Sequence, residues 1–366
     1  MATCKLILGC DAGNGFVKVS ANVVFSIQPQ PISVKIPSYI QEVAVDDLKE
    51  TPFPNSIDGA IVQYISGDRK DLCGTAWLCG TTAYINFPKT RQAIVETSLG
   101  KVDYGLQLLL AALGQLGEKA LPSGNYPTHL CVSVHDRQVY SKRIVSAYNG
   151  EHNVIINDTP HTFIIKCGCV EEGMGAIYNL RAQGLLGTQQ NIIVTDLGYG
   201  TTITQAYTRT TKGYETVPNS LLILKSGVYD LITSIAHHES LVSAKALGGR
   251  GDVEVIRTSI ERYTALKAAG QTPTMYYGNT LIDLEPAYKA SIKKWFNACL
   301  VKTAGAVEQW QHTSTNYIIG GGSKLPGLST VLTEVNPITG KPRYVLSNDS
   351  QFINALGLGK IAGTFK

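Results

Sequence analysis

The pattern Asp-x-Gly-x-Gly stands twice in this chain, each time between two apolar runs: LILGCDAGNGFVKV around Asp11 and NIIVTDLGYGTTITQAY around Asp196. In both copies a short apolar run (Leu6 to Leu8; Ile192 to Val194) reads as a buried strand, and a β-rich run follows the glycines. The spacing predicts a β-hairpin with little side-chain bulk at its tip, turned through glycines at positive φ. Such a tip lets backbone N–H groups approach phosphate oxygens at Gly13 and Gly15, and again at Gly198 and Gly200. Asp11 and Asp196 stand where the first strands end, placed to hold a hydrated Mg²⁺. Lys18 adds a point charge to the first hairpin, and Thr201 and Thr202 add hydroxyl donors to the second. One Asp-Gly-rich tip is an ordinary turn, but two strand-flanked copies imply two similar half-domains closing on one nucleotide.

Length and charge narrow the function classes. A chain of 366 residues has room for two cores, and 44% hydrophobic with 16% charged residues is an ordinary globular composition. A formal charge of +4, with no run of Lys and Arg longer than a pair, does not describe a surface built for DNA phosphates. Any role with nucleic acid is therefore expected to be indirect. The N-terminus enters a strand without a signal-peptide pattern, and apolar stretches such as Leu106 to Leu113 are too short to span a bilayer. The expectation is a soluble, cytoplasmic protein. Its eight cysteines form no Cys-x-x-Cys, and Cys167-Gly168-Cys169, the nearest thing to a ligand pair, has no His pair near it in sequence. These read as reduced thiols, and His237-His238 has the wrong spacing for a helical zinc pair.

Along the chain, residues 31–87 alternate proline and acidic clusters with short strands and read as an inserted subdomain. KVDYGLQLLLAALGQLG is a well-buried helix, Pro122 to Pro127 a loop, HLCVSV a strand and DRQVYSKRIVSAYN a helix. NVIINDTPHTFIIKCGCVEE reads as a second hairpin turning at Asn157 to Pro160, and Glu172-Gly173 leads into a helix that ends near Gly184. In the second half, Lys225-Ser226-Gly227 precedes the helix VYDLITSIAHHES. Val253 to Ala269 is helical, and Glu285 to Gln311 reads as one long helix carrying Trp295 and Trp310. NYIIGGGSKLPGL then repeats the strand, glycine turn and helix theme without a carboxylate, so its bare backbone suits the flat face of a base or ribose. The tail NDSQFINALGLGKIAG is a loop and a final helix.

This ordered set resembles the actin and sugar-kinase superfamily of ATPases, and within it most of all the bacterial actins of the ParM type. The residues that carry the resemblance are DAGNGFVKV, VEEGMGAIYNL before the second phosphate strand, SGVYDLI, YIIGGGSKLPG and NALGLGKIAG. It implies an α/β, two-lobed actin-like fold of duplicated ribonuclease H-like domains with a central nucleotide cleft. The first lobe would be residues 1–187 with an insert at 31–88, and the second 188–366 with an insert at 225–300, the C-terminal helix returning to the first lobe.

Carried over by motif, Asp11 and Asp196 would position Mg²⁺, while Asn14, Gly15 and Lys18, with Gly13 and Phe16 beside them, would hold β- and γ-phosphate oxygens. Gly198, Tyr199, Gly200 and Thr201 would form the opposing clamp, and Gly320, Gly321 and Gly322 with Lys324 would contact adenosine. Glu172 matches the residue that orients the attacking water, although its neighbour Glu171 stands where the family has Pro, which leaves the two acids in competition. Gln138 is the second candidate, by analogy with a glutamine of actin itself. The bland alternative for Glu172 is an acid at a helix N-terminus. The resemblance implies ATP and ADP as ligands, with GTP an alternative, hydrolysis coupled to filament assembly, and a DNA-binding adaptor on a centromere-like site of a plasmid. A small-molecule kinase of the same superfamily is the competing reading. A chaperone reading would need a further peptide-binding domain after the final helix.

Overall fold

The computed structural model describes residues 5–24, 31–50, 53, 57–96, 100–211, 213–243, 252–277, 280–311, 314–333, 340, 342–347 and 349–365. The chain divides into two compact units, Met1–Gly187 with Phe352–Lys366, and Thr188–Gln351.

In the first unit, β1 (Lys5–Ala12) turns back as β2 (Phe16–Val24) and pairs on its other side, in parallel, with β8 (Gly124–Val134). The remaining strands are β3 (Ile32–Pro37), β4 (Tyr39–Val43), β5 (Gly59–Gly67), β6 (Thr75–Gly80), β7 (Gln92–Ala93), β9 (Gly150–Ile156) and β10 (Thr159–Glu171). Together they form one ten-stranded sheet in the order β3-β2-β1-β8-β10-β9-β5-β6-β4-β7. Its central strands β1, β8 and β10 run parallel and are covered on both faces, so β1 is apolar almost without alternation. Helices α1 (Lys101–Gly114) and α2 (Arg137–Tyr148) bury Leu106, Leu109, Leu113 and Ile144 against Leu6, Leu8 and Leu130. On the other face the C-terminal helix, Ile353–Ala362, packs Leu358 and Ile361 on Cys131 and lies along α3 (Met174–Ala182).

β8 starts at Gly124, where a loop was expected. Its early residues, including Pro127, pair with β10, while the β1 ladder begins only at Thr128. Pro127 thus sits where β1 no longer pairs, and its missing N–H breaks no bond to that strand.

The second unit repeats the plan with a smaller sheet. β11 (Asn191–Leu197) turns back as β12 (Thr202–Thr210) and pairs in parallel with β17 (Thr315–Ile319), giving the order β13-β12-β11-β17-β18 with β14 off β12. Here β13 is Gly213–Thr216, β14 Leu222–Leu224 and β18 Tyr344–Leu346, while β15 (Thr274–Tyr277) and β16 (Thr280–Asp283) form a separate ribbon. Helices α4 (Val228–Ala236), α5 (Val253–Ala268) and α6 (Glu285–Phe296) share a core of Leu231, Ile235, Ile256, Ile260, Tyr288 and Trp295. The expected long helix from Glu285 to Gln311 is broken. α6 passes into a π turn at Asn297–Val301, and two short helices follow, Lys302–Ala306 and Glu308–Gln311. The wider turn accompanies two polar anchors, Trp295 and Cys299, that both reach the segment before α4.

Candidate functional site

The first hairpin closes tightly. β1 and β2 pair through Ala12 and Val17, and the Gly13 N–H donates to the Phe16 carbonyl at 2.9 Å, leaving Asn14 and Gly15 at the tip. Contrary to the expectation, Gly13 is not at positive φ. Space is tight there instead: a Cβ would stand 3.0 Å from the Phe16 carbonyl oxygen. Ser38, buried between β3 and β4, pins the tip: its hydroxyl donates to the Gly13 carbonyl at 2.7 Å and its N–H to the Gly15 carbonyl at 2.9 Å. A trans peptide points its N–H opposite to its C=O, so the N–H groups of Asn14 and Phe16 face away from Ser38. Ser38 therefore fixes the orientation of both tip peptides.

Asp11 and Lys18, treated separately in the sequence, are one unit in the fold. They stand directly opposite on β1 and β2, and Lys18 Nζ lies 3.0 Å from Asp11 Oδ2 with both side chains about nine-tenths buried.

The second hairpin is built to the same pattern with a different pin. β11 and β12 pair through Leu197 and Thr202, and the Gly198 N–H donates to the Thr201 carbonyl at 2.9 Å, leaving Tyr199 and Gly200 at the tip. Gly198 also avoids positive φ, and a Cβ there would lie 2.7 Å from the Thr201 oxygen. The first N–H groups of α4 do the pinning: Val228 donates to the Gly198 carbonyl at 3.1 Å and Tyr229 to the Tyr199 carbonyl at 2.8 Å. By the same planarity the N–H groups of Tyr199 and Gly200 face away from α4. The helix end finds its partners and the tip its orientation in one contact.

Two differences follow from the register. Asp196 is opposite Ile203, so this hairpin places no lysine across from its carboxylate. The Thr202 hydroxyl, expected as a ligand donor, is instead fully buried and donates to the Ser226 carbonyl at 2.8 Å. Thr201 stays partly exposed at the tip.

The glycine triplet after β17 packs onto this hairpin. Gly320 has φ +83°, and a Cβ on it would stand 2.1 Å from Asp196 Oδ1. Gly322 lies beneath Leu197, with a would-be Cβ 2.8 Å from the Leu197 Cβ. Only Gly321 has open space beside it, and Lys324 is exposed. Two of the three glycines thus seat Asp196 and Leu197, and one exposes bare backbone.

Glu172 follows β10 and donates its N–H to the carbonyl of Val134, the last residue of β8, at 2.9 Å. Cys10, Val132 and Cys169 form one row across β1, β8 and β10, so Asp11 and Glu172 leave the sheet at the same carboxyl edge, one and three residues past that row. This edge is where open α/β sheets bind ligands. Ser133 at the same edge carries a buried hydroxyl with no protein partner. Glu171 is the last residue of β10, and Gly173 at φ +86° turns the chain into α3. Gln138 is exposed in the first turn of α2, which Asp136 caps by accepting the Val139 N–H at 3.0 Å. The first unit thus gathers Asp11, Glu172 and Gln138 at one sheet edge, and the second gathers Asp196, Tyr199, Gly320 and Gly321. Sequence reasoning missed Ser38, which had no motif, and the role of Gly227, whose only signal was a glycine one residue before a helix.

No protein-family model matches the sequence, and a search of curated proteins finds no match. Solved structures match over nearly the whole chain. A ParM from a 15-stranded filament of Clostridium botulinum superposes with TM-score 0.70 at 16% identity, covering 99% of both chains. Bacillus thuringiensis ParM with ATP gives 0.68 at 16% identity and 98% of both chains. An archaeal actin homologue gives 0.66 at 18% identity, with 98% of this chain and 99% of that one covered. The fold of this chain is the two-lobed α/β fold of the actin-like ATPases, as seen in ParM.

Proposed function

We propose that this chain is an ATP-hydrolysing, filament-forming actin homologue. The observation that carries the reading is the repeated hairpin. In two sheets that share the order of their first five strands, each hairpin tip has its carbonyls held by Ser38 or by α4, which fixes the peptide planes that would meet a phosphate. Asn14, Gly15, Phe16 and Lys18 hold β- and γ-phosphate oxygens, and Gly198, Tyr199, Gly200 and Thr201 form the opposing clamp. Adenosine lies on Gly321, with Gly320 and Gly322 seating the second hairpin and Lys324 at the rim.

The donor set fits Mg²⁺. Mg²⁺ takes one or two carboxylates with phosphate oxygens and waters, and each hairpin carries one carboxylate near the end of its first strand, Asp11 and Asp196. Bound there, Mg²⁺ neutralises charge on the phosphates. Asp11 and Asp196 are the protein ligands, and Asp11 acts together with Lys18. Glu172, at the sheet edge beside Val134, orients the attacking water by accepting its hydrogen bond. Gln138 is the second candidate for that task.

Filament contacts then depend on whether ATP or ADP is bound. Among the described residues no helix is long and apolar enough to cross a membrane. A separate adaptor links the filament to plasmid DNA in the cytoplasm, a division of labour that suits a net charge of only +4. Light scattering at micromolar protein tests the reading. A rise on adding Mg-ATP supports it; no rise, together with ATP consumption that requires a sugar or small acid, favours a kinase. Glu172→Ala is expected to assemble with ATP while releasing phosphate at least about tenfold more slowly; release at the normal rate removes Glu172 from the role.

A further inference from the structure

The segment before α4 is tied on two sides within the second unit. Toward the hairpin, Val228 and Tyr229 donate to the Gly198 and Tyr199 carbonyls, and the Thr202 hydroxyl donates to the Ser226 carbonyl. Toward the helices, the Trp295 indole N–H donates to the Gly227 carbonyl at 2.7 Å, and Cys299 Sγ lies 3.3 Å from Ser226 Oγ. The Gly227 carbonyl also accepts the Asp230 N–H at 3.1 Å, so both its acceptor sites are used. No side chain fits at Gly227, since a Cβ would stand 2.3 Å from the Tyr199 carbonyl oxygen. The backbone of 226–228 is therefore wedged between the tip and Trp295, which is 4% exposed, and Cys299, which is fully buried. A displacement of the Tyr199 carbonyl must move Gly227 and load the indole bond. Cys299 is carried on a π turn, a rare helical feature that is frequent at functional sites.

Resting on the nucleotide reading above, we infer that Trp295 is a positioning residue for the terminal phosphate. Through Gly227 it holds the Gly198 and Tyr199 peptide planes so that the Tyr199 and Gly200 N–H groups face the ligand, and α6 with its π turn responds in return to whether that phosphate is present. Packing alone would be satisfied by phenylalanine; the indole N–H fixes a carbonyl.

The test is Trp295→Phe, titrated with Mg-AMPPNP and with Mg-ADP. AMPPNP affinity is expected to fall about tenfold and ADP affinity less than threefold, as for loss of one buried hydrogen bond that acts at the terminal phosphate. Equal weakening of both, or no change, overturns the inference. Hydrogen exchange in nucleotide-free protein separates this from the nucleotide reading itself. Trp295→Phe is expected to speed exchange of the Val228 and Tyr229 amides severalfold even if the wild type binds neither nucleotide, and unchanged exchange overturns the tie. Should Trp295→Phe fail to fold, Cys299→Ala is expected to show the same selectivity for AMPPNP with a smaller shift, and its absence counts equally against the proposal.

Discussion

The two glycine hairpins have their tip carbonyls held in place by different supports. In the first unit one buried serine on the adjoining strand link holds the carbonyls of Gly13 and Gly15, and a buried lysine opposes the carboxylate. In the second, a helix N-terminus holds the carbonyls of Gly198 and Tyr199, and a glycine at φ +83° closes on a carboxylate that faces an isoleucine. The common element is the pinned peptide plane; side-chain chemistry is what the halves do not share. The motif specifies a tip, and distant residues specify which way its amides point.

The largest break in the comparison is expected from Gly320→Ala. Its Cβ would overlap Asp196 Oδ1 and the residue would be left in the left-handed region, at a cost of about 3 kcal/mol or more. Urea unfolding of the variant is expected to show an early transition for the second unit, with nucleotide binding lost; no early transition would show that the triplet does not seat Asp196. Next in size, Asp196→Ala and Asp11→Ala are each expected to weaken Mg-ATP by about tenfold or more. Isothermal titration checks this, and full affinity in either variant would remove that carboxylate from the site. Ser38→Ala removes one of the two donors on the first tip and is expected to cost about 1 kcal/mol in stability and several-fold in nucleotide affinity, with no effect on exchange at Val228 and Tyr229.

The smallest effect separates the units by pH. Burial lowers the pKa of His129, His152 and His161, all in the first unit. His152 is neutral in the fold, its Nε2–H donating to the Tyr148 carbonyl at 3.0 Å and its Nδ1 accepting from the Tyr64 hydroxyl at 2.8 Å. The unfolded chain takes up protons at these rings first, so their stability is complete above about pH 6.5 and is lost as pH falls below it. The melting temperature is expected to drop by a few degrees between pH 7.5 and 5.5, and His152→Gln should flatten that slope; an unchanged slope would exonerate the Tyr64–His152–Tyr148 chain.

Local patterns were legible in the sequence, and long-range ones were not. Apolar runs ending in Asp-x-Gly-x-Gly located both hairpins, and the buried helix at Lys101–Gly114 and the strand-to-glycine turn at Gly320 were equally visible. Positive φ was the wrong inference for Gly13 and Gly198, whose carbonyl neighbours leave little room for a Cβ. Ser38 was invisible because its partner lies 25 residues away and a lone serine has no periodicity. The start of β8 and the break after Phe296 were missed for a related reason: a proline and an extra helical residue are tolerated there by neighbours that only the fold supplies. The Asp11–Lys18 pair was within reach, since hairpin register places residues 11 and 18 opposite once the two-residue tip is fixed.

Calorimetric titration of the wild-type chain with Mg-ATP, repeated on Asp11→Ala and Asp196→Ala, is the most direct test of the proposal that both hairpins serve one nucleotide. One ATP per chain is expected, with weaker binding when either carboxylate is removed. Two sites per chain, or full affinity after loss of either one, would contradict it.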